Sequence, residues 1–490
     1  MKICYIGNTC NNSFHHVRTM RARGHEAVLY YEAGRHPQTF PEWEDPSIAV
    51  NRPEWIRPFR YDYALSESWV TAPPDLMEEF SQFDIIHAED RALIWAQRTG
   101  KPYGWYPYGF DMQFYSFASF GFEWHLVKKG SPLMPWYVTL PIRFRRAVAG
   151  AAFINNPLWM PSHSATLDLL QELSSPERIR AIPVSVDTEL FSPGEGPDIN
   201  ALLRKLGLDA QQPQGLTLFL PTRIIFAKGR DYNYGSDRLL QLLRKFADTG
   251  REFTLIVVSK DSPDELLFKE LVGQLNLRDH VIWIPMQQRH KLVDWYRVCD
   301  VVANEFGDGG FGSIAYEALS CGACLLTSWK VKTHSDPTFF LPEYASWPPY
   351  LSADTDEEAL KNLIACADDP HFRAERQRLG REWVLANIAP RITGEKFEQC
   401  YSNAIARHPV TIRKSVYDPP SSHALRVVGL HLKNNDLASA FLSIGKALDN
   451  NPEDPLLLDI VLKLYDAVGG PALGNALRHE LDELEVSFPR

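Results

Sequence analysis

Short, continuous apolar runs separated by helical patterns fill most of the first 330 residues, and no other feature limits the fold so tightly. In the first half the runs are KICYIG, EAVLYY, FDIIHA (83–88), YGWYPY (103–108) and AAFINN (151–156). In the second half they are LTLFLP, FTLIVV, HVIWIP, DVVAN and ACLLTS. FHHVRTMRARGHE reads as a helix stopped by Gly24, and SDRLLQLLRKFADTG as one stopped by Gly250. Strands buried on both faces read as unbroken apolar runs, so these belong to parallel sheets. A chain of 490 residues exceeds one ordinary core. The expectation is α/β: two Rossmann-like, doubly wound domains over 1–195 and 215–385, joined by the turn-rich VSVDTELFSPGEGPD. Ligands of such domains bind at the carboxyl ends of the strands, here in the cleft between the two.

From residue 409 the texture changes. Pro409, Pro419 and Pro420 form a connector, and 420–490 read as helices only: SHALRVVGLHLK, DLASAFLSIGKALD, DPLLLDIVLKLYDAV and PALGNALRHELDEL. Leu437, Phe441, Ile444 and Leu448 share one helical face. Ala440, Ala447 and Pro452 have tetratricopeptide-like spacing. Helix pairs this few cannot bury their own apolar faces, so they dock on the body of the protein or on a protein partner.

A net charge of −10 and a pI near 5.9 argue against nucleic acid as a partner. Seven scattered cysteines suit a reducing cytoplasm better than a disulfide framework. Cys321 and Cys324 form a lone CxxC with no second ligand pair at zinc spacing, and read as small core residues. MKICYIG is a strand, not a leader, and no window approaches a membrane span. The expected location is the cytoplasm, with or without peripheral membrane contact. Residues 114–147 bear on that contact, because aromatics there mix with Lys128, Lys129, Arg143, Arg145 and Arg146. An interfacial patch and a packed insertion both fit this composition.

Three features carry chemistry. Arg223 and Lys228, in LPTRIIFAKG, follow a strand directly and suit a diphosphate, the first as a planar fork and the second as a point charge. DVVAN then runs into Gly307, Gly309, Gly310 and Gly312 before a helix starts near Ser313, which offers backbone N–H groups to an anion. Within that helix Glu317 lies among Ile314, Ala315, Ala318 and Leu319. A buried carboxylate is costly unless it is paired or hydrogen-bonded, and a vicinal diol such as a ribose would satisfy it.

Arg-x4-Lys-Gly, followed about ninety residues on by FG-x4-EAL-x-CG, resembles family 4 glycosyltransferases of the GT-B fold. The stretches are RIIFAKG (223–229) and FGSIAYEALSCG (311–322). RARGHEAVLYY (21–31), FDIIHAED (83–90), YPYGFD (106–111) and ERIRAIPVSVDTELFSP (177–193) are similar to first-domain landmarks of that family. The resemblance covers roughly residues 1–405 and makes 386–408 a closing helix returning to the first domain.

The resemblance implies retaining transfer of a sugar from a nucleotide-sugar donor to a hydroxyl of a glycan, lipid-linked or protein-linked acceptor. It implies no cofactor and no catalytic metal, and does not separate UDP- from GDP-sugars. Arg223, Lys228 and Asp111 would be the catalytic set. Gly309, Gly310, Phe311, Gly312, Ser313 and Ile314 would bind the donor together with Glu317, Pro285, Met286 and Asp308. The base would lie near Pro285 and Met286. His15, His16, Tyr108 and Gly109 are the acceptor-side candidates.

Two positions depart from the family pattern. Gly309 stands where an acid commonly contacts the donor sugar, with Asp308 or Glu305 as substitutes, and Tyr108 stands where a His is frequent. Two other outcomes stand beside transfer: a sugar-nucleotide-binding protein without transferase activity, suggested by Gly309 and the helical tail, and a nucleotide-sugar epimerase of GT-B fold. Asp354-Thr355-Asp356 resembles a DxD metal motif but precedes EALKNLIACA, where acids complement a helix start.

Overall fold

The computed structural model describes residues 1–33, 39–59, 74–107, 111–119, 136–155, 164–208, 212–226, 234–260, 262, 264–307, 311–329, 343–410, 422–434 and 436–486. Two sheets organise them. The first contains β1 (Lys2–Ile6), β2 (Glu26–Glu32), β3 (Ile56–Phe59), β4 (Ile85–Glu89), β5 (Tyr103–Tyr106), β6 (Phe153–Asn155) and β7 (Ile179–Arg180). Its order is β3-β2-β1-β4-β5-β6-β7 and every pairing is parallel.

The second sheet contains β8 (Leu216–Leu220), β9 (Phe253–Val258), β10 (Val281–Ile284), β11 (Val301–Ala303), β12 (Cys324–Thr327) and β13 (Leu351–Ser352). Its order is β10-β9-β8-β11-β12-β13, again all parallel. Both orders reverse beside the first strand of their sheet. The crevices where ligands settle therefore open between β1 and β4 and between β8 and β11.

The ten apolar runs all contain strands, because a strand covered on both faces needs apolar side chains at every position. Three short edge strands lie outside those runs: β3 carries Arg57 and Pro58, and β7 and β13 have two residues each.

The segment between the domains is pinned to the second. Phe191 is buried, and its carbonyl accepts from Arg381 Nη1 (2.9 Å) and from the Ser320 hydroxyl. Arg297 Nε donates to the Ser192 carbonyl (2.7 Å). The helix Pro390–Ala406 lies against the first domain. The Tyr401 hydroxyl bonds Tyr5 Oη (2.7 Å) and His87 Nδ1 (2.7 Å), while Arg23 and His25 pair with Glu398.

The tail forms the helices Ser422–Lys433, Leu437–Leu448 and Pro455–Glu483. The last two sequence-predicted helices are therefore one, running through Gly469, Gly470 and Pro471. Burial of Val461 and Tyr465 before those breakers, and of Leu477 and Leu481 after them, overrides local propensity.

The apolar faces of the tail join one hydrophobic core with Trp105, Phe144 and Val148 of the first domain. Arg143 pairs with Glu480 (3.3 Å) and Glu483 (2.9 Å), and Arg146 with Glu453 (2.9 Å). Arg145 donates to the Asp449 carbonyl (2.5 Å). These three arginines thus serve an internal docking surface; Lys128 and Lys129 lie outside the described residues. No helix of the described residues is long and apolar enough to cross a membrane.

Candidate functional site

The loop after β1 enters the cleft in a tightly fixed shape. Cys10 and Asn11 both take left-handed backbone angles, φ 53° and 58°. Asn8 holds the turn: its amide donates to Asn11 Oδ1 (2.6 Å) and the Thr39 carbonyl (2.7 Å), and its Oδ1 accepts from Phe14 N (2.9 Å). Glu89, at the end of neighbouring β4, accepts from Thr9 N (2.7 Å) and from the Ser13 hydroxyl. Gly7, at φ +104°, permits that approach, since a Cβ there would stand 2.7 Å from Glu89 Cβ. A cavity of about 30 Å³ lies at this crevice, lined by Asn8, Thr9, Glu32, Glu89 and Arg91 among others. Glu89 and Asn8 were not singled out from sequence. A carboxylate at the carboxyl end of FDIIHAE was the available signal.

In the second domain Arg223 leaves the end of β8, exposed, with no ion pair to a described residue. Its loop is anchored by Ser262 Oγ to Ile224 N (3.1 Å), Ser236 Oγ to Ile225 N (3.2 Å) and Asp264 Oδ2 to Phe226 N (2.8 Å). Beside it, β11 leads to the helix Ser313–Ser320, whose N-cap Gly312 is extended. Arg223 and that helix start therefore flank the crevice between β8 and β11. Phe311 points away from it, buried against Trp329 (4.9 Å) and Tyr350 (5.6 Å). Ser313 and Ile314 are half-buried, Pro285 is exposed and Met286 is half-buried after β10.

Glu317 is 1% exposed and has protein partners. Arg289 Nε donates to its Oε1 (2.5 Å) and the Tyr296 hydroxyl to its Oε2 (3.0 Å). Arg289 Nη1 also donates to Glu44 Oε1 of the first domain (2.7 Å) and to His15 Nε2 (3.0 Å), and the guanidinium lies 5.9 Å from the Phe191 ring. One cation thus clasps two buried carboxylates from opposite domains.

The two acids respond differently. Burial works against the charge of Glu44, but Arg289 and His15 outweigh it and hold the carboxyl down at about 2. Burial raises the pKa of Glu317 despite Arg289, with Glu44 adding repulsion. Burial and then Arg289 lower the pKa of His15. Sequence reasoning missed Arg289, which sits in the polar turn QQRHK without any periodic pattern.

His16 belongs to the first-domain core, against Phe397 (4.6 Å) and His87 (5.9 Å). Burial holds its pKa well below the usual range, and that of His87 at about 3. Asp111 begins the helix Asp111–Ser116. Tyr108, Gly109, Lys228, Asp308, Gly309 and Gly310 lie outside the described residues. The backbone N–H of Glu305 faces Thr327 Oγ1 (3.4 Å), and its side chain is buried.

Asp354 accepts from Ser328 Oγ (3.0 Å) and Trp329 N (2.7 Å), Thr355 caps the helix Asp356–Asp368, and Asp356 pairs with Arg238 (2.8 Å) and Lys245 (2.6 Å). These contacts occupy the DxD-like triplet at a helix start. No group of three or more metal-ligating side chains occurs among the described residues. Cys321 and Cys324 are buried and unpaired.

Residues 212–336 match the family described as glycosyl transferases group 1. Two Rossmann-like domains of this topology, facing across a cleft, decide the architecture. This is the GT-B fold.

Sucrose-phosphate synthase from Thermosynechococcus elongatus is structurally similar over 83% of this chain and 100% of its own, with a TM-score of 0.53 and 15% identity. Anabaena Alr3699/HepE, solved with UDP and glucose, is similar over 82% of this chain and 99% of its own (TM-score 0.54, 13% identity). The D-inositol 3-phosphate glycosyltransferases of Xylanimonas cellulosilytica and Frankia alni are 33% and 30% identical over 152 and 155 residues, each 30% of this chain. The chain spans about a third of the length of these curated relatives (34% and 36%).

Proposed function

We propose that this GT-B protein transfers a sugar from a nucleotide-sugar donor to a hydroxyl acceptor, with retention of anomeric configuration. One observation carries the reading. The ligand crevice of the second domain, between β8 and β11, is flanked by Arg223 on one side and the Gly312–Glu317 helix start on the other, within the segment matching the glycosyltransferase family.

On this reading Arg223 and Lys228 take the donor diphosphate and neutralise the charge that grows as it departs. The N–H groups at Gly312, Ser313 and Ile314 add the field of a helix N-terminus. The cations that act on the leaving group are side chains. Glu317 takes the ribose. A carboxylate has about four lone-pair positions, and Arg289 and Tyr296 use two. The ribose hydroxyls bond the others as Arg289 withdraws toward Glu44. Pro285 and Met286 line the base, the acceptor enters over the crevice between β1 and β4, and the sugar is contacted by Asp111 and by residues of 308–310.

The test is a donor panel. Transfer or slow hydrolysis of at least one nucleotide sugar, with the product configuration read by NMR, is the expected result. Tight binding of a nucleotide sugar without either reaction would leave a binding protein. Glu317→Ala should weaken nucleotide affinity about tenfold or more, through loss of charge-assisted hydrogen bonds. Lys228→Ala should mainly lower kcat.

A further inference from the structure

A further cation follows β9, the strand next to the one that Arg223 follows. Lys260 lies two residues beyond the end of β9, the strand paired with β8 on the side away from β11. Its backbone is held in place: Ser259 N donates to the Ile284 carbonyl (2.9 Å), and Glu265 accepts from Lys260 N (3.2 Å) and Ser259 Oγ (2.5 Å). Glu265 is itself neutralised by Lys269 (2.8 Å), so it is not an ion-pair partner for Lys260. The Lys260 side chain is half-buried, and its ammonium has no acceptor among the described residues.

The charges that act on Lys260 come from both walls of the cleft. They are Arg223 and Glu317 in the second domain and, when its thiol ionises, Cys10 in the first. A half-buried ammonium beside a second unpaired cation is unfavourable unless an anion joins them. Burial, with Arg223 adding to it, pushes the Lys260 pKa down to about 8.

We propose that Lys260 binds the donor diphosphate as a further cation of the site, alongside Arg223. The proposal rests on the nucleotide-sugar reading above and adds a residue to it. A compact ammonium at this place complements the planar fork of Arg223, because it meets phosphate oxygens from any direction. Its titration also makes nucleotide affinity depend on pH, since only the protonated amine attracts the diphosphate.

The test measures UDP and GDP affinity by calorimetry for the wild type, Lys260→Gln, Lys260→Arg and Arg223→Ala. Each measurement is repeated with Cys10→Ser added, because Cys10 is the exposed thiol of this cleft. Lys260→Gln should bind about tenfold more weakly at pH 7. Wild-type affinity should fall as the pH rises from 7 to about 8.5, below the ionisation of the bases, and Lys260→Arg should bind at pH 7 like the wild type and stay flat over that range.

Unchanged affinity in Lys260→Gln, with Arg223→Ala weakened, overturns the assignment of Lys260 and leaves the nucleotide reading standing. Unchanged affinity in both variants also overturns the proposal, and absence of UDP and GDP binding to the unmutated protein overturns the nucleotide reading itself. Failure of Lys260→Arg to restore binding would assign Lys260 a structural role and also overturn the proposal.

Discussion

Arg289→Met is the most informative single change to this protein. It removes the one guanidinium that balances Glu44 and Glu317, and leaves two buried carboxylates from opposite domains without their cation. The cost can be worked from Glu44. A carboxyl held at about 2 instead of 4.5, by Arg289 first and His15 after it, is stabilised by about 3 kcal/mol, an upper bound on the share of Arg289. Breaking a buried pair on one side is generally worth about 3–5 kcal/mol, so the two routes agree.

For a chain of this size that loss lowers Tm by about 3 °C if all of it melts together, and by about 6 °C if only one half does. The pH dependence has a definite sign. A depressed carboxyl pKa contributes stability above the unfolded value of 4.5, and loses it as the pH falls toward 2. The gap between wild type and variant should therefore be full at pH 7.5 and narrow below pH 5. Differential scanning calorimetry at pH 7.5, 5 and 4 reads this directly. A shift below about 1 °C, or one of equal size at pH 7.5 and 4, would refute the clasp.

Other changes follow from geometry already described. Gly235 has φ +66°, and a Cβ there would stand 2.5 Å from Gly307 N, so Gly235→Ala should cost about 1–3 kcal/mol and lower Tm measurably. Tyr401→Phe deprives Tyr5 Oη and His87 Nδ1 of their shared partner, and should cost about 1–3 kcal/mol in thermal unfolding. Removal of residues 409–490 uncovers the apolar face of the first domain, and light scattering should show association; a monodisperse, folded truncation would count against the shared core.

The ten main strands were legible because burial on both faces leaves a one-dimensional mark, an apolar run. The edge strands were not, since Arg57 and Pro58 in β3 face conditions that an edge tolerates and a central strand does not. Arg223 was found by its place after an apolar run. Lys260 follows FTLIVV in the same way, so the signal was present and unused. Arg289 had no such signal: its partners Glu44 and Glu317 lie 245 and 28 residues away, and only folding brings them together. The docking of the tail was half legible. Its amphipathic faces were visible, but the match of Arg143 and Arg146 to Glu480, Glu483 and Glu453 depends on where the helix Trp136–Gly150 ends up.

The shared core of the tail and the first domain has a consequence for biosynthesis. Domains usually fold as they leave the ribosome, first domain first, at about 5–20 residues per second. Here Phe144 and Trp105 share a core with Leu477, Leu481 and Leu484, which are made more than 300 residues later. The second domain is fully synthesised while the first still lacks one of its covering layers, an interval of about 15–60 s at that rate. The nascent first domain must cross that interval with apolar surface exposed. Chaperone demand should therefore concentrate on the first of the two domains, which is translated before the layer that covers it.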